Sequence, residues 1–306
     1  MTPKLSHVLA TLLLLVILPF AAQSRTLKSA AGSSNVLENL EGSYKGQTVK
    51  GLQLLKRYLI AYGYLDYNND PENTNLSDDF DEFLESSLKT YQKNYNLKVT
   101  GIFDSDTIKE MQIKRCGNPD IINHNTSSST NSGEFHTVGH YQFFQGTPRW
   151  PSDKTNLLYS FRSSEEVVSL EELRPIIKSA FQRWADVSQF TFEEATDEKQ
   201  ADIVIGFHRL DHGDDNPFDG PGTTLAHAFS PPDGRFHFDA DEKWSSNPST
   251  GEEDLETVAV HEIGHLLGLQ HSKNKNAVMF SEIPAESVKR ELAQDDIDGV
   301  RALYSN

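Results

Sequence analysis

His261-Glu262-Ile263-Gly264-His265-Leu266-Leu267-Gly268-Leu269-Gln270-His271 is the stretch on which the reading turns. On a helix, residues i and i+4 share a face, so His261 and His265 present two imidazoles to one ion. Glu262 adjoins a ligand, which sets its carboxylate beside the metal's open position. Gly268 accepts the left-handed backbone that ends a helix and turns the chain back, bringing His271 round as a third ligand. Three protein ligands leave a fourth place for water, which separates catalytic from structural zinc. A bare HExxH arises by accident in a chain this rich in His and Glu roughly a few times in a hundred. A glycine and a third histidine at fixed offsets make accident a poor explanation.

The rest of the composition agrees. The 306 residues suffice for two ordinary domains. With 37% hydrophobic and 10% aromatic residues, the chain is neither a polytopic membrane protein nor wholly disordered. A net charge of −17 disfavours a nucleic-acid partner, which needs a basic face. The acidity is concentrated: from Tyr141 onward there are 15 Lys+Arg against 30 Asp+Glu, as a domain holding hard divalent cations requires. Seven of the eleven histidines lie between His208 and His271. The single cysteine, Cys116, excludes an internal disulfide and asks for a role as bridge, reactive thiol or metal ligand.

Along the chain, Lys4, the apolar run Val8 to Phe20 and the small residues before Ser24 read as a signal peptide over 1–24. No second apolar stretch or hydrophobic tail follows, so a secreted, extracellular protein without a membrane anchor is expected. Asn75 and Asn125 open two glycosylation acceptor triplets. Residues 45–112 form a small all-α unit: Val49, Leu52, Leu55, Tyr58 and Leu59, then Phe83, Leu84, Leu88 and Tyr91, recur at helical spacing. The Ser/Thr/Asn-rich segment within 121–139 is an exposed linker. Having no Lys or Arg, it offers no site to an activating protease that needs paired basic residues. The second domain, 140–306, mixes strands at 156–162, 190–193, 202–207 and 224–229 with helices. Capping boxes at Ser169 to Glu172 and Thr250 to Glu253 are expected to open two of those helices. A last helix is expected over about 293–303.

With Ser272 behind it, the histidine segment resembles that of the metzincin metalloproteases and, within them, the matrixins. Ala277-Val278-Met279-Phe280 is similar to their methionine turn. Lys114-Arg115-Cys116-Gly117-Asn118-Pro119-Asp120 resembles the matrixin cysteine switch, departing at Lys114 and Asn118, where the family usually has Pro and often Val. The helical unit resembles the peptidoglycan-binding-like matrixin prodomain, nearest in wording to the plant branch.

The resemblance implies an α+β fold: a metzincin-type catalytic domain, with a mixed, mostly parallel twisted sheet and three helices, behind an all-α prodomain in a propeptide spanning 25–139. It implies a catalytic Zn2+ on His261, His265 and His271, with Glu262 as general base. In the latent form the Cys116 thiolate takes the fourth position, in a loop fixed by Arg115, Gly117, Pro119 and Asp120. A structural Zn2+ on His212, Asp214, His227 and His237 is implied too. So is Ca2+ held by Asp219, Asp239 and Glu242 and by the carbonyls of Gly220, Gly222 and Thr224. Asp202 is a weak sign of a further calcium site. Expected partners are extracellular protein substrates of collagen or gelatin type, an activating protease and metalloprotease inhibitors, with the chain acting as a monomer. Extended substrate is expected along Leu225 to Ala228, its side chain entering a pocket near Ser281 and Ile283. A new N-terminus near His140–Phe143 is expected against Asp295 or Asp296. A thermolysin-like protease, with a distant Glu as third ligand, is opposed by Gly268 and His271. A glycan-binding protein with structural metals alone is opposed by Glu262, since a structural site needs no base.

Overall fold

The computed structural model describes residues 37–67, 76–122 and 139–305. The expected leader, Asn75, Asn125 and most of the linker lie outside the described residues. The first unit holds helices α1 (Leu52–Ala61), α2 (Glu82–Asn94) and α3 (Ser105–Met111). Asp81 and Asp104 cap α2 and α3, accepting from the amides of Leu84 at 2.8 Å and Thr107 at 3.0 Å. Each satisfies a first-turn N–H that the helix itself leaves without a partner. The apolar positions at helical spacing converge on one core containing Leu52, Leu55, Leu59, Leu84, Leu88 and Tyr91.

The second unit runs β1 (Gln142–Phe143), β2 (Asn156–Phe161), α4 (Leu170–Ala185), β3 (Thr191–Glu194), β4 (Ile203–His208), β5 (Ala226–Ala228), β6 (Arg235–Asp239), β7 (Trp244–Ser245), β8 (Glu253–Asp254), α5 (Leu255–Leu266), β9 (Leu269–Gln270) and α6 (Gln294–Tyr304). Its main sheet has the order β3-β2-β4-β6-β5. The pairs β2/β3, β2/β4 and β4/β6 are parallel, and only β5 runs antiparallel, at the edge. This is the mixed, mostly parallel sheet with three helices that the matrixin resemblance implies. One face of α4 buries Leu173, Ile177, Phe181 and Trp184. Trp184 ties α4 to α5, its indole N–H donating to the Val260 carbonyl at 2.8 Å.

Ser169 caps α4 as expected, accepting from the Glu172 amide. The second expected capping box does not open a helix. Gly251 adopts a left-handed conformation (φ +80°), Glu253 and Asp254 extend against Trp244 and Ser245, and α5 starts four residues later than that box places it. Asp254 is its cap, accepting from Thr257 at 2.7 Å. The strand read over 224–229 is also shorter, covering Ala226–Ala228. The Thr223 carbonyl and the Leu225 amide bond to Arg115, while the Leu225 carbonyl still accepts from Asp239 N of β6.

Candidate metal centre and its latch

Helix α5 carries His261 and His265 one turn apart, and Gly268 (φ +99°) ends it. A side chain at Gly268 would stand 2.3 Å from the Pro148 carbonyl oxygen, so both conformation and space demand glycine. The reversal delivers His271 to the same centre. Each ring sets its outer nitrogen against an oxygen: His261 Nδ1 lies 2.7 Å from the Val278 carbonyl, His265 Nδ1 2.7 Å from that of Leu269, and His271 Nδ1 2.8 Å from Asp120 Oδ1. Those oxygens only accept, so each Nδ1 carries the proton and each Nε2 turns its lone pair inward. Burial holds all three imidazoles neutral, well below their usual range for His261 and His265, and neutral imidazole is the ligating form.

Cys116 completes the group. Its Sγ lies 3.4 Å from His265 Nε2, and the four donor atoms all fall within 4.8 Å of one another. His261 Nε2, His271 Nε2 and both Glu262 oxygens are buried without a hydrogen-bond partner among the described residues. Unpaired buried polar atoms are costly, and a divalent ion at this point would satisfy the two imidazole nitrogens, leaving the Glu262 carboxylate beside it. Burial and the nearby Glu262 push the Cys116 thiol well up. Burial pushes Glu262 itself up to about 8, the thiol partly offsetting it. A sulfur that must ligate as thiolate therefore needs a cation beside it, and these residues fit zinc in donor type and number.

The segment bearing Cys116 lies between two walls. On one side Arg115 N donates to Thr223 O, Leu225 N to Arg115 O and Gly117 N to Ala226 O, at 2.7 to 2.9 Å. On the other, Cys116 N donates to Ser281 O and Ile283 N to Lys114 O. The site expected to take substrate thus holds the chain's own strand, parallel to Thr224 and antiparallel to Glu282. A Cβ on Gly117 would meet Thr224 Cγ2 at 2.8 Å, so the close pairing needs glycine here. Asn118 extends the ladder by side chain, donating to Ala228 O at 2.8 Å and accepting from Ala228 N at 3.3 Å.

Arg115 is wholly buried. It donates to Asp120 Oδ1 at 2.7 Å and Tyr95 Oη at 2.8 Å, and lies 3.7 Å from the centre of the Tyr62 ring. Tyr64 and Tyr95 also donate to Asp120. Despite burial, Arg115 and His271 hold that carboxyl well below the usual carboxylate range.

The second cluster sits on β5, β6 and the loop before them. Asp214 Oδ2 lies 2.9, 2.8 and 2.8 Å from the nitrogens of His212, His227 and His237. His237 Nδ1 stands 3.1 Å from His212 Nε2 and 3.3 Å from His227 Nε2. Ring nitrogens facing one another at such range suit the edges of a tetrahedron with bonds of about 2.0 Å to zinc. The three histidines hold Asp214 far below its usual range despite burial. His208 stacks on this group, with Ser164 at its Nδ1.

In the neighbouring loop, Asp219 accepts from the amides of Thr223 and Thr224, and Glu242 from that of Gly222. Asp239 is fully buried with Oδ2 unpartnered, and burial, then the charges of Asp219 and Glu242, push it up to about 8. The carboxylates fit a hard cation. Asp202 is otherwise engaged, with Lys154 at 2.8 Å and the Leu158 amide at 2.9 Å.

Some residues escape the sequence reading. Gly264 faces Met279, whose sulfur would lie 2.1 Å from a Cβ there. Asp296 accepts from the Val278 and Met279 amides and so shapes the methionine turn. Asp295 accepts from the peptide amide of His140 at 2.6 Å and from Ser272 Oγ at 2.6 Å, near where the sequence expects a new N-terminal ammonium after processing.

A family model described as matrixin matches residues 149–305, and one described as a putative peptidoglycan binding domain matches residues 48–111. The chain is 44% identical over 288 residues to Metalloendoproteinase 5-MMP of Arabidopsis thaliana, covering 91% of this chain and 78% of that protein. It is 46% identical over 276 residues to Metalloendoproteinase 1 of Glycine max, covering 86% and 87%. An interstitial collagenase of Sus scrofa is 37% identical over 257 residues, with 83% of this chain and 49% of the collagenase covered. Fold, site and relatives together define a metalloendopeptidase. The chain belongs to the matrixin family, and its likeness to the plant branch is borne out.

Proposed function

We propose that the chain is a secreted zinc endopeptidase made latent, with signal peptide 1–24, propeptide 25–139 and catalytic domain 140–306. The observation that carries this reading is Cys116 Sγ set against His265 Nε2, within a strand that fills the substrate cleft. His261, His265 and His271 would hold the catalytic zinc, with Cys116 as fourth ligand before activation. His212, Asp214, His227 and His237 would hold a structural zinc. Asp219, Asp239 and Glu242, with the carbonyls of Gly220, Gly222 and Thr224, would hold calcium. Bound zinc supplies Lewis acidity to the scissile carbonyl and acidity to the attacking water.

The protein's own residues do the rest. Removal of the propeptide frees the edge of β5 and the facing 281–283 segment, between which an extended substrate gains backbone hydrogen bonds. Glu262, on the turn of α5 that carries His261, takes the proton of the attacking water and passes it to the leaving amine. The Nδ1 bonds to the Val278 and Leu269 carbonyls hold His261 and His265 in their ligating tautomers. No helix among the described residues is long and apolar enough to cross a membrane. Extracellular proteins as substrates, inhibitors as partners, and glycans at Asn75 and Asn125 complete the proposal.

The test is casein or gelatin cleavage before and after removal of residues 1–139, with a chelator control and the Glu262→Gln chain beside it. Cleavage only after removal, abolished by chelator and by Glu262→Gln, is expected. Full proteolysis by Glu262→Gln would overturn the assignment of the base.

A further inference from the structure

Lys114 directly precedes the arginine of the latch. Its backbone carbonyl accepts from Ile283 N at 2.8 Å, while its side chain crosses to the acidic loop. There Nζ is ion-paired to Glu242 Oε2 and, at 2.9 Å, to Glu253 Oε1. Both glutamate side chains are buried. The second Glu242 oxygen accepts from Gly222 N at 2.8 Å, and the third carboxylate of the group, Asp239, retains a buried oxygen with no partner among the described residues. Buried carboxylates in such proximity are ionised together only beside a counter-cation, and the ammonium of Lys114 is the cation that the latent chain brings to Glu242 and Glu253.

The latch strand and the loop are joined by further bonds. Arg115 pairs with Thr223 and Leu225 at 2.9 Å, and the Tyr62 hydroxyl lies 2.9 Å from Thr224 Oγ1. A change at Glu242 therefore bears on the strand that places Cys116 two residues beyond Lys114.

We propose that Lys114 is a built-in competitor of the calcium site: its ammonium holds Glu242 while the latch is seated, so that seating the latch and binding calcium oppose one another. The proposal rests on the assignment of Asp219, Asp239 and Glu242 to calcium. Because such coupling is reciprocal, a latch that weakens calcium binding is itself weakened by calcium to the same degree. Calcium then acts on latency through Lys114, without touching the histidine centre.

The experiment uses the full chain with Glu262→Gln, which keeps it intact, and titrates calcium calorimetrically with zinc retained. Lys114→Met is expected to tighten calcium binding about tenfold, Lys114→Arg to leave it near the unsubstituted value, and Asp239→Asn to abolish the gain. In a second readout, calcium accelerates labelling of Cys116 by a thiol reagent in the Lys114 chain and has no effect on that rate in Lys114→Met. Equal calcium affinity in the Lys114 and Lys114→Met chains, with Asp239→Asn weakening both, would overturn the competition and leave the calcium site standing. Asp239→Asn without effect in any background would overturn the site and the proposal together.

Discussion

Two clusters of four donors stand in the second unit, and their ownership differs. His212, Asp214, His227 and His237 all come from one continuous stretch of the second unit, and Asp214 is in contact with all three histidines. His261, His265 and His271 find their fourth donor in Cys116, 149 residues from His265 along the chain and attached to a separately cored helical unit. Among the described residues, only the cluster of His261, His265 and His271 sits beside a buried carboxylate with both oxygens unpaired, Glu262. Four donors closed within one unit leave a bound ion no open position, as the permanent, structural zinc proposed above requires. In the proposed latent form the other set borrows its fourth donor, and losing it with the propeptide would open a position beside Glu262. The contrast is chemical as well: Asp214 supplies a carboxylate to the first cluster and Cys116 a soft sulfur to the other.

The largest expected effect tests the free carboxylate. In the processed domain, Glu262→Gln is expected to lower peptidase activity roughly 10²- to 10⁴-fold while metal content by elemental analysis stays the same. Unequal metal content would show that Glu262 acts through the ligands, and the contrast with the other cluster would blur.

Next comes His227→Ala, which removes a donor from the permanent set. Leaving Asp214 short of a partner is expected to cost about 3 kcal/mol or more, a fall of roughly 10 °C in melting temperature, with loss of one metal equivalent. Cys116→Ser is the matching change in the borrowed set. Activity of the uncut chain is expected to appear, with a melting temperature within about 3 °C of the original, near the resolution of a single small contribution. A fall as large as that of His227→Ala would make the latch a structural element and erase the distinction.

The smallest effect belongs to Asn118→Val. It removes the two side-chain bonds to Ala228, each of order 1 kcal/mol, so thiol labelling of Cys116 in the uncut chain is expected to quicken up to about tenfold. An unchanged rate would mean that the backbone ladder alone seats the latch.

Much of this was legible in the sequence because it is local. His261 and His265 share a helix face by spacing alone, and Leu173, Ile177, Phe181 and Trp184 declare a buried helix stripe in the same way. Several strands followed from β-branched and aromatic runs, while the mixed, mostly parallel sheet followed only from the matrixin resemblance. What escaped depends on partners distant in sequence. Whether Thr250 or Asp254 caps α5 was decided by β8 pairing with Trp244 and Ser245, which drew residues 253–254 into extended backbone. Just ahead of β5, the Thr223 carbonyl and the Leu225 amide are taken by Arg115, more than a hundred residues away in sequence. The acceptors that orient His261 and His265 are main-chain carbonyls, which no side-chain pattern advertises. Lys114 read as a departure at the edge of a motif, and only the folded chain shows its ammonium among buried acids.

The notch at Gly264 has a consequence for how the family can diverge. A single added carbon there would overlap the Met279 sulfur at 2.1 Å, and Trp184 closes the same space at 3.0 Å. Positions 264 and 279 are thus coupled: a bulkier residue at the first obliges the Met279 side chain to swing aside or give way to a slimmer one. Drift at either alone would lift the floor beneath the three imidazoles.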